Sequence, residues 1–273
     1  MQREGCTVHL QTGAAGTEVV RIQKLLIGLG YLAPPADGRF GPLTAEAVRV
    51  FQGQLGLGSD GSVDDATYQR LVIQYLLPDA MRMEVASLVP AGPAVAVAIL
   101  ETGWLAQVPR DAATGASSHN LFGIKWTADC GLPYVEETTR EYLQGAWETV
   151  TARFCAYRDD AAAFTAFADL VRTPRYAAAF ARRSDSVAFL QGLAEGGYAT
   201  DPQYAAKLLS IMEQHPSLYT HAASPGTPLP GSIPYWARRA VVAAVGRGLV
   251  TTLDLDYDQC WALTLLDRLG RLR

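Results

Sequence analysis

Residues 94–104 read Ala-Val-Ala-Val-Ala-Ile-Leu-Glu-Thr-Gly-Trp, an unbroken apolar run from Ala94 to Leu100 that passes directly into Glu101-Thr102-Gly103-Trp104. Pro93 suits the first turn of a helix and Gly103 suits its end, so the spacing predicts a helix over 93–102. On that helix Glu101 falls in line with Ala94, Val97 and Ala98. A helix this apolar belongs inside a core. Its acid near the C-terminal end then meets both the negative pole of the helix dipole and poor solvation, and each raises a carboxyl pKa. A general acid working near neutral pH requires that shift. The plainer alternative is a charged side chain reaching solvent at a helix end, and the rest of the chain has to decide between them.

The chain has 273 residues, enough for two or three domains, with 49% hydrophobic and 18% charged side chains and a net charge of −4. By residue count, 1–77 carries 6 basic and 7 acidic side chains, 78–223 carries 11 and 16, and 224–273 carries 6 and 4. No basic block points to nucleic acid, and the acidic middle argues against a polyanionic substrate. A weakly charged or uncharged polymer fits better. The start has no apolar h-region, and no stretch approaches the roughly 18 apolar residues of a membrane span. The chain is therefore expected to fold in the cytoplasm unless a leader precedes it, with no stable membrane insertion. Cys6, Cys130, Cys155 and Cys260 show no CxxC spacing, so reduced structural thiols are expected. Cys6 and His9 have a metal-like spacing that no second pair answers. No metal or cofactor is expected.

Residues 7–75 repeat themselves. GTEVVRIQKLLIGLGYLAPPADG is followed by FGPLTAEAVRVFQGQLGLGSDG and then SVDDATYQRLV. Each unit offers an N-cap candidate (Thr17, Thr44, Asp64 or Asp65), an amphipathic helix and a glycine-rich turn, with Asp37-Gly38 and Asp60-Gly61 as turn dipeptides. Three short helices follow, sharing a core of Val20, Leu25, Leu26, Val48, Phe51, Leu55, Tyr68 and Leu71. The pattern GxxVxxxQxxLxxLGYLxxxxDGxFGxxTxxAVxxFQxxxGLxxDGxV resembles the peptidoglycan-binding module of bacterial and phage wall hydrolases. That resemblance implies a holding role without chemistry. Candidates for its binding surface are Tyr31, Asp37, Arg39, Phe40 and Gln52, with Phe40 equally readable as core.

Residues 78–221 form the second expected domain, opened by Pro78 and a helix over 79–89. SSHNLFGIKW (117–126) sets an aromatic ring beside a flexible glycine, with Asn120 and Lys125 able to hydrogen-bond. The period then changes: YVEETTREYLQGAWETVTARFCAY (134–157) reads as a β-hairpin about Gln144-Gly145. Glu137, Thr139 and Glu141 alternate onto one face, although a solvated strand face is the plainer reading for Glu136 and Glu137. Helical patterns return, capped by Asp159 or Asp160, by Ser184, and by Thr200 and Asp201. Tyr198 stands just before the last cap, after two glycines, placed either to reach out of the core or to be buried with its hydroxyl satisfied.

ETGW, SSHNLFGIK, TREYLQG with FCAY, PRY and GYATDPQYAAKLL occur in this order. Together they resemble the flagellar-type and autolysin-type peptidoglycan glucosaminidases, glycoside hydrolase family 73, across roughly 85–215. The resemblance implies a lysozyme-like, mostly helical domain with a small hairpin that cuts the β-1,4 bond after N-acetylglucosamine. It also implies Glu101 as general acid, Glu141 as second carboxylate and Tyr198 as the supporting tyrosine. Ser118, Asn120, Phe122 and Lys125 would line the cleft. Cys155 departs from the family pattern, as does His119. If Glu141 activates water, configuration inverts and the carboxyls stand about 6.5–9.5 Å apart; if the substrate's acetamido group attacks, configuration is retained.

AASPGTPLPGSIP is a linker, and residues 232–273 read as two amphipathic helices that weakly resemble one surface-layer-homology repeat. Self-association through these helices is one expectation, and packing on the catalytic domain another. The fold expected overall is mainly α (α+β): a three-helix binding module, a lysozyme-like domain with a hairpin, and a C-terminal helix pair. The function expected is a phage-type endolysin acting on peptidoglycan glycan strands after release by lysis. An N-acetylmuramidase, a lytic transglycosylase and a non-catalytic wall-binding protein are the alternatives.

Overall fold

The computed structural model describes residues 8–111, 114–143 and 146–219, with backbone alone for 139–143 and 146–147. The expected tail helices, Cys6 and Cys260 lie outside the described residues. The described chain divides into two compact units between Tyr75 and Leu76.

The first unit contains α1 (Thr17–Gly28), α2 (Pro42–Gln54) and the opening turns of α3 (Asp65–Ser87). Val19, Ile22, Leu26, Val48, Phe51 and Leu71 are at most 1% exposed and make its core. Two of the expected caps do not form. Gly16 and Gly41 precede α1 and α2 without a side-chain cap, and Pro42 takes the first turn of α2. Asp64 does cap α3, accepting the Thr67 amide at 2.8 Å. Thr44 serves a different purpose, as one arm of a buried amide centre. Gln23 Nε2 donates to Asp37 Oδ1 at 2.7 Å, to Arg39 O at 3.1 Å and to Thr44 Oγ1 at 3.2 Å, while its Oε1 accepts the Gly38 amide at 2.8 Å. Gln52 repeats the pattern. Its Nε2 donates to Asp60 Oδ1 (3.1 Å), Ser62 O (2.9 Å) and Thr67 Oγ1 (3.3 Å), and its Oε1 accepts Gly61 N at 2.9 Å. The sequence repeat is therefore a repeated polar staple that ties each Asp-Gly turn to the helices on either side of it.

This corrects part of the expected binding surface. Gln52 (3% exposed) and Phe40 (2%) are interior residues. Asp37 and Arg39 remain exposed, and half-buried Tyr31 donates to Gln54 Oε1 at 2.8 Å.

The second unit begins within α3. The break expected at Pro78 is absent, because Pro78 lies inside the continuous helix Asp65–Ser87. A proline in a helix interior costs about 3 kcal/mol, but each fully buried Leu or Met contributes about 1.5–3 kcal/mol. Leu76, Leu77 and Met81, all at most 3% exposed, flank this proline and outweigh it. Next comes α4 (Ala91–Thr102), in which every residue from Ala91 to Ile99 is buried. Gly92 is packed so closely that a Cβ there would lie 1.8 Å from the Leu218 carbonyl oxygen. The hairpin forms as expected: β1 (Tyr134–Leu143) pairs antiparallel with β2 (Ala146–Cys155), from Tyr134 opposite Cys155 to Leu143 opposite Ala146. α5 (Asp160–Val171), α6 (Ala177–Ala181), α7 (Ser186–Glu195) and α8 (Tyr204–Gln214) complete the unit. Asp159 caps α5, and Asp185, not Ser184, caps α7. α8 starts later than the Asp201-Pro202 signal implies, and Asp201 accepts from the Gln203 amide and from Lys207 ahead of it.

Candidate active site

α4 delivers Glu101 from the core to an edge of the second unit. Beyond it the chain stops helical travel abruptly: Gly103, Trp104 and Leu105 all adopt left-handed backbone, with φ of 53°, 61° and 62°. Trp104 and Leu105 pay conformational energy there, a strain that persists only where surroundings enforce it. Those surroundings are the Trp104 amide donating to Ile99 O at 3.0 Å, the Leu105 amide donating to Thr102 Oγ1 at 3.0 Å, and the Trp104 ring set edge-on to His215 at 5.2 Å.

The 117–126 segment closes on Glu101 from the other side. Asn120 staples it: Nδ2 donates to Ile124 O at 2.8 Å and Cys155 O at 2.9 Å, while Oδ1 accepts the Ile124 amide at 3.0 Å. Ser118 Oγ accepts the Asn120 amide at 3.1 Å, and the Phe122 ring stacks on Phe167 at 4.4 Å. Ser118, Asn120 and Phe122 are each 1% exposed, so the cleft-lining role expected of them is corrected to a scaffold role. They shape the turn that sets Gly123 against the carboxyl. Gly123 has φ of +63°, and a Cβ there would stand 2.7 Å from Glu101 Oε2. Only glycine satisfies both demands. His119 turns away to Asp160, at 2.6 Å between Nδ1 and Oδ1. Lys125 is the exposed member of the motif. Its ammonium sits over the Phe154 ring at 4.1 Å, and its charge acts on both Glu101 and Glu137.

α8 supplies a third side, which the sequence reading missed. Tyr204 donates its hydroxyl to Glu101 Oε1 at 2.8 Å. Tyr198 lies stacked against Tyr204 at 5.7 Å, but its own hydroxyl donates to Phe122 O at 2.8 Å. Tyr198 thus ties the glycine turn down, while Tyr204 touches the acid. Arg175 supports this corner by donating to the carbonyls of Gly196 and Gly197, which explains the Pro-Arg-Tyr signature. Tyr204 sits in the first turn of a helix, where its aromatic ring reads as core, so periodicity gives no hint of the contact.

Burial pushes the Glu101 carboxyl up to about 7, against the opposing effects of the Tyr204 hydrogen bond and the Lys125 charge. The same burial, with Glu101 beside them, holds both tyrosines well above the usual phenol range. On the hairpin, Glu136 pairs with Arg153 at 2.8 Å on an exposed face. Glu137 departs from its plain solvent-facing reading: it is half-buried, and desolvation raises its pKa while Lys125 lowers it. Glu141 lies on β1 opposite Glu148, and its side chain is outside the described residues. Among the described residues no group of three or more His, Cys, Asp or Glu could hold a metal. What remains is a protonatable acid near neutrality, oriented by a phenol and faced by a cation.

Residues 77–217 match the family model described as mannosyl-glycoprotein endo-beta-N-acetylglucosaminidase, and residues 15–71 match a peptidoglycan binding domain. The peptidoglycan hydrolase FlgJ of Escherichia coli (strain K12) is 39% identical over 132 residues, spanning 48% of this chain and 41% of that protein. "Probable N-acetylmuramidase" of Lactococcus lactis subsp. lactis is 34% identical over 141 residues, spanning 49% of this chain and 30% of that protein. A crystal structure of a peptidoglycan hydrolase mutant from Sphingomonas sp. A1 superposes with a TM-score of 0.50 at 37% identity, covering 56% of this chain and 97% of that one. The chain spans less than half the length of the curated relatives it matches.

Proposed function

Because the chain belongs to the glucosaminidase family through residues 77–217, we propose that it hydrolyses peptidoglycan at the β-1,4 bond after N-acetylglucosamine, with Glu101 as general acid. The observation that carries this reading is the Glu101 carboxyl, brought to about pH 7 by burial and held by Tyr204. A glycosidic oxygen is a poor leaving group until it is protonated, and an acid of this pKa is still substantially protonated at neutral pH. Tyr204 fixes which carboxyl oxygen is hydrogen-bonded, leaving Oε2 on the Gly123 side to present the proton. Positive charge then develops at the anomeric carbon. Glu141 is the proposed second carboxylate, activating water for inversion, with the substrate's acetamido oxygen as the alternative nucleophile.

The domain over residues 15–71 supports glycan strands of the wall as the partner, with Tyr31, Asp37 and Arg39 as the accessible candidates for contact. Deployment in phage lysis, after release from the cell that makes the protein, belongs to the same proposal. Lysis of intact cells only after membrane permeabilisation is the outcome expected of that route, and lysis by the added protein without permeabilisation would contradict it. An N-acetylmuramidase is the second reading, favoured by the name of the Lactococcus relative. One experiment separates the two: digest purified peptidoglycan, reduce the products with borohydride and identify the reduced sugar by mass spectrometry. Reduced N-acetylglucosamine supports the first reading, and reduced N-acetylmuramic acid the second. Anhydro ends indicate a transglycosylase, and no cleavage leaves a wall-binding protein.

A further inference from the structure

The proposed reaction uses none of the chain's sulfur, yet two of its thiols meet beside the site. Cys155 ends β2, where its amide donates to Ile124 O at 3.1 Å and its thiol donates to Lys125 O at 3.5 Å. Cys130 lies in the loop that leads from Lys125 back to β1. That loop is pinned against the hairpin by Trp126 N donating to Arg153 O at 2.9 Å, Trp126 Nε1 to Leu132 O at 2.8 Å, and Ala156 N to Pro133 O at 2.8 Å. Both ends of the loop are thus anchored on either side of Cys155, at Arg153 and at Ala156, with Cys130 between them; the two thiols act on each other's ionisation, and both are unbridged. Cys130 is half-buried and Cys155 is 2% exposed. The absence of a third ligand group among the described residues points this pair to redox chemistry in preference to metal binding.

We propose that Cys130 and Cys155 are a dithiol–disulfide pair that locks the 126–133 loop onto the end of β2 under oxidising conditions. The oxidant is a small-molecule disulfide such as oxidised glutathione. The more accessible Cys130 thiolate attacks one of its sulfurs, forming a mixed disulfide and releasing one glutathione thiolate. Cys155, losing its proton to solvent, then attacks Cys130 Sγ and expels the second. Two protein thiols give up two electrons and two protons, and one small disulfide becomes two thiols. The division of labour matches the surroundings. The Leu132 backbone hydrogen bond holds the Cys130 thiol below its usual range, whereas burial pushes Cys155 up to about 11. The locked segment runs from Lys125 to the strand that carries Glu137, so oxidation stiffens the wall facing Glu101 without touching it. This inference is independent of which glycosidic bond is cut.

The test treats the reduced full-length chain with oxidised glutathione, alkylates the remaining thiols and digests with trypsin without reduction. The expected product is peptide 126–140 joined to peptide 154–158, lighter by two hydrogens than the sum of the two. It comes with a rise in Tm of several degrees. Cys130→Ser loses both the link and the Tm gain while keeping the wall-degrading rate of the reduced protein. Cys155→Ala halts at the glutathione adduct of Cys130. A lasting glutathione adduct on Cys130 in the unsubstituted chain, a link to Cys6 or Cys260, or unreacted thiols would overturn the pairing. A correct link with unchanged Tm would overturn the locking.

Discussion

The buried amides Gln23 and Gln52 of the first unit and the buried carboxyl of Glu101 in the second are treated in opposite ways. Gln23 and Gln52 are 2% and 3% exposed, and each has both ends of its amide engaged, with turn, backbone and hydroxyl partners on every side. Such a group is neutral, satisfied and structural. Glu101 is desolvated too, but it is an ionisable acid held by a phenol at one oxygen, with bare glycine backbone beside the other. A satisfied buried amide specifies a turn; a desolvated carboxyl held by a phenol at one oxygen stores a proton for use.

Substitutions that swap these properties should separate the two regions, and the largest effect is expected at Glu101. Glu101→Gln should lower kcat by about 10²–10⁴, read by release of reducing ends from peptidoglycan. It should also stabilise the protein at pH 8. The folded pKa of Glu101 is about 7 and the unfolded value is near 4.5. The stability linked to that proton is therefore full below pH 4.5 and lost as pH rises through 7. The ionised form costs about 3 kcal/mol, and the Gln variant escapes that cost. A variant that is inactive and less stable at pH 8 would break the contrast. Gln52→Leu should do the reverse, costing roughly 3 kcal/mol in thermal or denaturant unfolding by orphaning the Gly61 amide and its neighbours, with turnover on short glycan fragments unchanged. Gly123→Ala should cost about 1–2 kcal/mol through its left-handed backbone and reduce kcat about tenfold or more by displacing Oε2. The smallest effect is expected for Tyr204→Phe: kcat should fall severalfold. Because the lost hydrogen bond had lowered the Glu101 pKa, the alkaline limb of the pH–rate profile should move to higher pH.

Much of this was legible in the residues. The apolar run before Glu101, the left-handed Gly103, the paired Asp-Gly turns and the pairing of β1 with β2 each announce themselves through local chemistry. The errors have a common cause. The family resemblance, which carries no information on burial, places Ser118, Asn120 and Phe122 in the cleft, whereas they fold inward and staple the 117–126 segment. Gln52 and Phe40 likewise belong to the interior of a turn system that only long-range pairing reveals. Pro78 signals a break locally, but tertiary burial on both sides overrides it. Tyr204 was invisible because its partner is Glu101, far away in sequence, and nothing in the periodicity of α8 marks one aromatic residue as facing an acid.

Glu101 holds its proton near neutrality, and a direct titration tests this. The chain would be labelled with ¹³C at glutamate carboxyls, the Glu101 signal assigned by its loss in Glu101→Gln, and its chemical shift followed from pH 4 to 9. A midpoint about 7 is predicted. A midpoint in the ordinary glutamate range, near 4.5, would contradict the account: Glu101 would then be ionised at neutral pH and could not be the proton donor.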